Sequence, residues 1–293
     1  MISIIICSRK EGIDPFLWEN INRTIGVPFE IINIDNQDNR YSIFSAYNLG
    51  ALRSKYDNLC FMHDDIIFHG DGWGKVVTGL LSAEQTGVVG VAGAVVKTRT
   101  ASPWWVSNVH DCSKYFRQNL IQTRGTEKRV IHEEINPEKE ACSKVAVIDG
   151  VWFCCRRDLW DRVKFDESNF GGFHFYDLDF SLAVLAKGYT NLVTYEVLLE
   201  HRSSGHLDGS WVKAALRFQK KWEKRLPVSV VELSREELNQ LEYQAIRNLL
   251  VVSINNDFGG FFYHMRFWLK LIRYKGLSRM HFSLLKSILK EAI

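Results

Sequence analysis

Short apolar runs rich in β-branched residues recur along the first part of the chain. They cover residues 2–6, 29–34, 58–62 and 87–96. Runs of this length and composition are typical of strands that are buried on both faces of a sheet. Between the second and third runs, the apolar positions of residues 42–54 fit one face of a helix. Strands that alternate with helices predict an α/β fold with an open, mostly parallel sheet flanked by helices.

The pattern after the fourth run is less regular. Residues 97–143 show no sustained period, and we predict that they form a long excursion over the ligand-binding edge of the sheet. Regular structure is predicted to return as strands at 144–148, 190–195 and 197–199 and as helices at 158–163 and 177–187. Gly188 follows the second of these helices, as expected of a residue that ends a helix.

Long helical periods dominate the C-terminal part of the chain. Ser234 and Glu237 have the spacing of a capping box at the start of one helix. Residues 261–290 hold seven Lys or Arg and no Asp or Glu, interleaved with aromatic residues and Leu. We predict a first domain at 1–208 and a helical extension at 209–293. Its basic surface either docks on an anionic membrane or packs on protein, including a second subunit.

Composition narrows the class of protein. A chain of 293 residues that is 46% hydrophobic can bury a sizeable core, and its net charge of +3 gives no bulk argument for a nucleic-acid partner. Its six cysteines include no CxxC pair, so neither a zinc site nor a disulfide framework is expected. The N-terminus lacks the features of a signal peptide, and no apolar run is long enough for a membrane span. We therefore expect a cytoplasmic protein, either free or peripheral to the inner face of the membrane.

Polar residues follow each of the first three apolar runs. Ligands of open α/β sheets bind beyond the carboxyl ends of the strands, so these residues are expected to meet at one edge. They are Ser8 and Arg9, then Asp35 and Asn36, then Asp64 and Asp65.

The adjacent carboxylates of Asp64 and Asp65 are the strongest local signal. Two like charges in a partly buried place repel each other unless a cation neutralises them. Carboxylate oxygens suit Mg²⁺ or Mn²⁺, and such an ion keeps open positions that can bind a diphosphate. The alternative is an Asp pair that caps the following turn.

Three more residues have the chemistry of a catalytic site. Asp177 and Asp179 lie two residues apart at the predicted start of a helix, where one of them could act as a general base or simply cap the helix. His201 follows the last strand and is either a metal ligand or a structural histidine, with His206 as the second candidate for that role.

Together these motifs resemble those of family 2 type glycosyltransferases with the GT-A fold, over about residues 1–207. The matching segments are 7–9, 34–36, 46–50, 63–65 and 176–179. The resemblance implies that Asp35 contacts the nucleobase, that Asp64 contacts the ribose or diphosphate, and that Asp65 binds the metal. His63 stands where many relatives have the first Asp of Asp-x-Asp.

The resemblance also assigns roles to the later residues. Asp177 is the implied base, with Asp179 as the second candidate, because Tyr176-Asp177 replaces the family's Glu-Asp pair. Asp149 and Gly150 match the region beside the donor sugar and acceptor. Asn48 of the helix motif is grouped with the donor contacts. The remaining candidates, which either stack on the acceptor sugar or pack in the core, are Trp104, Trp105 and Trp152.

The resulting hypothesis is an inverting glycosyltransferase that depends on Mn²⁺ or Mg²⁺. It would move a sugar from a nucleoside-diphosphate sugar, with UDP favoured, to a hydroxyl of a saccharide or lipid-linked saccharide during glycan or polysaccharide synthesis. One alternative is a metal-dependent nucleotidyltransferase, which the lack of a Gly-rich, Lys-containing phosphate loop disfavours. Another is a non-catalytic module that binds nucleotide sugars or glycans.

Overall fold

The computed structural model describes residues 1–106, 114–124, 129–203, 205 and 207–290. The chain forms two compact units. The first unit comprises Met1–Val95 and Lys114–Gly205, and the second comprises Val96–Ser113 and His206–Ile293. The predicted boundary at residue 208 lies near the second break, whereas nothing in the hydrophobic pattern predicts that residues 96–113 belong with the C-terminal helices. The functional roles proposed for the two ranges stay predictions.

Strands and helices alternate through most of the first unit. The strands of the chain are β1 (Ile2–Ser8), β2 (Phe29–Asp35), β3 (Asn58–Met62), β4 (Ile66–Phe68), β5 (Thr86–Gly90), β6 (Ala92–Ala94), β7 (Val96–Lys97), β8 (Phe116–Arg124), β9 (Arg129–Ile135), β10 (Cys142–Val145), β11 (Val147–Ile148), β12 (Trp152–Arg156), β13 (Thr190–Thr194), β14 (Leu199–His201) and β15 (Val228–Ser229). The helices are α1 (Pro15–Thr24), α2 (Ile43–Arg53), α3 (Trp73–Leu81), α4 (Arg157–Val163), α5 (Tyr176–Ala186), α6 (Gly209–Trp222), α7 (Arg235–Asn255), α8 (Gly260–Lys275) and α9 (Arg279–Lys290).

Seven strands form the central sheet, in the order β10-β13-β5-β12-β3-β1-β2. β1 pairs in parallel with β2 and β3, and β13 pairs in parallel with β5. β12 runs antiparallel between β3 and β5. The fold is therefore mixed α/β with a largely parallel sheet and C-terminal helices, and the predicted fold class is confirmed.

A second sheet covers the region where the sequence predicts an irregular excursion. Its strand order is β11-β6-β8-β14-β4, and β9 pairs with β8 in an antiparallel hairpin. The prediction that residues 97–143 are irregular is wrong for β8 and β9. The hydrophobic pattern does not predict these strands, because several buried positions of β8 are polar, including Gln118 and Asn119. The Asn119 amide donates to the carbonyl oxygens of Tyr195 and Val197, which satisfies it inside the unit.

Close packing of helix on sheet sets the position of the strand ends. Ser42 caps α2, whose buried face lies on β1. A Cβ on Gly50 of α2 would lie 2.3 Å from Ile5 Cγ2, so only glycine permits this approach. The cysteines within the described residues are free thiols.

The second unit is mainly helical. Ser234 and Glu237 form the predicted capping box at the start of α7. α7, α8 and α9 share an apolar cluster that includes Ile246, Trp268 and Ile288. None of the helices in the described part of the chain is long and apolar enough to cross a membrane.

Candidate functional site

Side chains from the ends of β1, β2 and β3 meet at one edge of the central sheet. Ser8 is the register partner of Asp35 in the parallel pair of β1 and β2. The Ser8 hydroxyl also donates a hydrogen bond of 2.5 Å to Oδ2 of Asp64, which follows β3. This edge is the place where the sequence predicts a ligand site.

His63, Asp65 and His201 form a compact cluster beside this edge. Their ligand atoms all lie within 4.8 Å of one another. Asp65 Oδ1 is 3.6 Å from His201 Nε2 and 3.9 Å from His63 Nδ1. The two sides of the cluster are held together by β14, which pairs antiparallel with β4, and by the Arg202 N–H, which donates to the Asp65 carbonyl oxygen.

The orientation of the His63 ring follows from one hydroxyl. Tyr176 donates its O–H to the Gly150 carbonyl oxygen at 2.9 Å. The Tyr176 hydroxyl oxygen also lies 2.9 Å from His63 Nε2. Because the only proton of this hydroxyl is donated to Gly150, the oxygen must accept a hydrogen bond from His63 Nε2. The proton of a neutral His63 therefore sits on Nε2, which leaves the Nδ1 lone pair directed into the cluster.

The ring of His201 is held by Gln122 of β8. The Gln122 side-chain oxygen and nitrogen each lie 3.3 Å from His201 Nδ1, while His201 Nε2 faces Asp65. When the amide oxygen accepts from Nδ1–H, Nε2 keeps its lone pair. Burial lowers the pKa of both imidazoles, against the opposing charge of Asp65, so both are neutral at neutral pH.

This donor set fits a divalent cation. Two neutral imidazole nitrogens and one carboxylate oxygen converge on one point, and nitrogen ligands suit transition metals better than they suit Mg²⁺. Of the two ions predicted from sequence, the set fits Mn²⁺ better. His63 belongs to this set although sequence reasoning gave it no ligand role.

Asp177 lies in the first turn of α5, next to Tyr176. Its Oδ2 accepts from the Gly150 N–H at 2.8 Å and its Oδ1 from the Leu178 N–H at 2.9 Å. Burial, followed by the negative charge of Asp149, raises the pKa of the Asp177 carboxyl to about 7 from its ordinary 3.8, despite these hydrogen bonds. A carboxyl with this pKa can take up a proton near neutral pH.

A polar pocket of about 210 Å³ opens beside the end of β2. Asp35 is exposed within it, and its two oxygens accept from the backbone and side chain of Gln37. The residues around the pocket are Asn33, Ile34, Asp35, Gln37, Asp38, Arg40, Tyr41, Leu49 and Arg53. Its size and its carboxylate suit a planar group that carries N–H donors.

The sequence matches the profile of the glycosyltransferase-like family over residues 3–226. The chain belongs to this family. No curated protein matches the sequence. This glycosyltransferase-like chain is similar at low identity to solved structures that include A197 from STIV, GalNAc-T7 and TarS.

A197 from STIV is 12% identical, with a TM-score of 0.37, and the match covers 69% of this chain and 86% of that one. GalNAc-T7 with UDP, GalNAc and Mn²⁺ is 14% identical, with a TM-score of 0.49, over 90% of this chain and 56% of that one. TarS from S. aureus in complex with UDP-GlcNAc is 11% identical, with a TM-score of 0.42, over 93% of this chain and 71% of that one.

Two asparagines predicted to contact the donor have structural roles in this glycosyltransferase-like chain. Asn36 is buried, and its amide bonds both the N–H and the carbonyl of Tyr41, which shapes the loop around the pocket. Asn48 is also buried. It donates to the Phe165 carbonyl and accepts from Phe165 N–H and Trp160 Nε1–H, so it joins α2 to the segment around α4. The contacts of both amides with a donor stay predictions.

Gly150 packs closely against Tyr176, and its predicted place beside the donor stays a prediction. A Cβ at this position would lie 2.1 Å from the Tyr176 hydroxyl. The Tyr176 ring therefore requires a residue without a side chain at position 150. Gly150 still contributes to the site, because its N–H and carbonyl position Asp177 and Tyr176.

The remaining candidates differ in how far they are buried. Trp152 is 0% exposed and packs in the core against Phe68 and Trp73, so its ring presents no surface to an acceptor. Trp104 and Trp105 are half-buried in the second unit, and their acceptor role stays a prediction.

Asp179 is 2% exposed, whereas Asp177 is partly accessible, which favours Asp177 as the base. Arg9 is exposed and lies over the Phe173 ring, and His206 falls outside the described residues.

Proposed function

We propose that this protein transfers a sugar from a nucleoside-diphosphate sugar to an acceptor hydroxyl, with inversion at the anomeric carbon. The observation that carries the proposal is the cluster of His63, Asp65 and His201, which Tyr176 connects to the raised-pKa carboxyl of Asp177. Membership of the glycosyltransferase-like family supplies the reaction class. Inversion at the anomeric carbon, the class of donor and the acceptor hydroxyl are parts of this proposal that family membership does not supply.

The pocket at the end of β2 would hold the nucleobase. The Asp35 carboxylate is exposed there and can accept from a ring N–H, which uracil offers at N3. A UDP-sugar is therefore the favoured donor. Ser8 and Asp64 lie at the same edge and would contact the ribose or the diphosphate.

His63, Asp65 and His201 would hold Mn²⁺ beside the diphosphate. A divalent cation bound there supplies positive charge that stabilises the departing nucleoside diphosphate. Tyr176 and Gln122 would orient the two imidazole rings, by hydrogen bonds to His63 Nε2 and His201 Nδ1, so that the lone pairs of the other ring nitrogens point at the cation.

Asp177 would take the proton of the acceptor hydroxyl. Its two backbone hydrogen bonds fix the carboxylate, and each oxygen keeps a second lone pair for the acceptor. Withdrawal of this proton makes the acceptor oxygen a better nucleophile toward the anomeric carbon. Direct attack opposite the leaving group inverts the anomeric centre, so we expect a product of the opposite anomeric configuration to the donor.

Release of nucleoside diphosphate from a panel of nucleotide sugars, with and without Mn²⁺, tests the proposal. We expect release from one donor, dependent on Mn²⁺, that Asp65→Ala abolishes. Asp161→Asn is the matched control, because Asp161 is an exposed carboxylate on α4. An NMR spectrum of the transfer product gives its anomeric configuration. Full activity of a folded Asp65→Ala variant would remove the metal role, and retention of configuration would remove the single displacement.

A further inference from the structure

The helices α8 and α9 present two exposed stripes in which apolar and basic side chains alternate. On α8 the stripe consists of Phe262, Arg266, Leu269 and Arg273, and on α9 it consists of Arg279, Phe282, Lys286 and Leu289; all eight residues are exposed. Steps of three and four residues place each set on one face of its helix. We name these two sets the α8 stripe and the α9 stripe.

Both stripes lie away from the core of their own unit. The buried residues of α8 are His264, Trp268 and Leu271, which fall on the opposite side of the helix from the α8 stripe. Ile288 of α9 packs into the same apolar cluster. The exposed aromatic rings therefore do not complete this core: Phe262 is 87% exposed and Phe282 is 54% exposed.

The charge of this surface is of one sign. The sequence from residue 258 to residue 290 contains seven Lys or Arg and no Asp or Glu. Residues 276–278 join the two helices, and the exposed Leu277 lies in this connection. This surface therefore combines large, solvent-exposed apolar side chains with positive charge. A partner that suits both features is negatively charged at its surface and apolar inside.

We propose that the α8 and α9 stripes dock this protein on an anionic lipid bilayer. Arg266, Arg273 and Lys286 would contact lipid headgroups, while Phe262 and Phe282 would insert among the upper acyl chains. A second copy of the chain is the poorer partner, because a symmetric contact would bring the basic stripes together without an acidic residue to compensate. A nucleic acid would match the charge of the stripes but would leave Phe262 and Phe282 exposed to water. The proposal concerns the second unit and does not depend on the transfer reaction.

Co-sedimentation of the full chain with vesicles tests this docking. We expect binding to vesicles that contain phosphatidylglycerol, loss of binding with phosphatidylcholine alone, and weaker binding as salt increases. Arg266→Gln/Arg273→Gln should weaken binding roughly 25-fold, at about fivefold for each charge. Phe262→Ser/Phe282→Ser should weaken it roughly 100-fold while the salt dependence stays unchanged.

Matched controls separate docking from general charge and general hydrophobicity. Lys213→Gln/Arg217→Gln removes two exposed charges from α6 of the same unit, and Phe16→Ser removes an exposed ring from α1. Both should bind vesicles as the wild type does, and equal melting temperatures establish that the variants are folded. Absence of binding at low salt overturns the proposal. Equal binding by the Phe variant also overturns it, because the apolar side chains would then not insert. So does a dimer that depends on the stripes, or a duplex oligonucleotide that binds more tightly than the vesicles and binds the Phe variant equally well.

Discussion

His63 Nδ1 lies 3.3 Å from His201 Nε2, although 138 positions separate the two residues in the sequence. The Tyr176 hydroxyl fixes the His63 proton on the opposite nitrogen, so the short distance does not reflect a hydrogen bond donated by Nδ1 of a neutral His63. An arrangement that directs imidazole lone pairs and the Asp65 carboxylate at one point is favourable when a cation lies between them. This relationship is the physical basis of the proposed function.

Removing the Tyr176 hydroxyl should weaken metal binding. In Tyr176→Phe, His63 Nε2 loses its acceptor, so the ring is free to place its proton on Nδ1. Loss of such an orienting partner costs about 10- to 100-fold in metal affinity, and we expect a drop of this size for Mn²⁺ measured by calorimetry.

Tyr189→Phe is the control for the Tyr176 variant, because the half-buried Tyr189 accepts a hydrogen bond from the exposed Arg162 through the hydroxyl that is removed. It should bind Mn²⁺ with wild-type affinity. If Tyr176→Phe does the same while remaining folded, the orienting role of Tyr176 is wrong.

The rate of transfer should rise with pH through about 7. Asp177 acts as a base only when ionised, and burial together with the charge of Asp149 raises its pKa to about 7. We expect kcat, measured at saturating donor and Mn²⁺, to increase from low pH and level off above this value. The residual rate of Asp177→Asn should lack this increase. An unchanged pH profile in that variant would show that another group is the base.

The same pKa predicts a pH-dependent change in stability. The folded-state pKa of about 7 lies above the ordinary 3.8, so the folded state binds the Asp177 proton more tightly than the unfolded state. The stability from this group is present below the ordinary value and is lost as pH rises through the folded-state value. Asp177→Asn cannot lose a proton. Its melting temperature relative to wild type should therefore be higher at about pH 8 than at about pH 4. A difference that does not change with pH would contradict the raised pKa.

Asn48 should matter for folding and not for the donor. Asn48→Ala leaves the Phe165 N–H and carbonyl and the Trp160 N–H without their partner, which lowers the free energy of unfolding by about 2–4 kcal/mol. The affinity of the folded variant for nucleoside diphosphate should stay at the wild-type level. Denaturant unfolding and calorimetry measure the two effects separately. A large loss of affinity would restore Asn48 to the donor site.

The local parts of this structure are predictable from sequence. Asp35 is the last residue of β2 and Asp65 lies shortly after the end of β3, so their place at a strand end is a property of a few neighbouring residues. Ser234 and Glu237 likewise mark the start of α7 through contacts three residues apart.

The parts that depend on distant pairing are not predictable in this way. His201 meets Asp65 because β14 lies beside β4, and no periodic pattern records that pairing. Gln122 reaches His201 from a strand with polar buried positions, which hides the strand from a hydrophobic pattern. Gly150 is small because of Tyr176, a contact across 26 positions of the chain. These side chains acquire their roles from tertiary structure.

The most direct test of the metal centre is an anomalous difference map from a crystal grown with Mn²⁺ and the nucleoside diphosphate of the preferred donor. We expect one strong peak within bonding distance of His63 Nδ1, the Asp65 carboxylate and His201 Nε2, with the diphosphate on its open side. A peak bound elsewhere, or a diphosphate ordered at the edge of the sheet while Asp65 contacts no metal, would contradict the proposed metal centre.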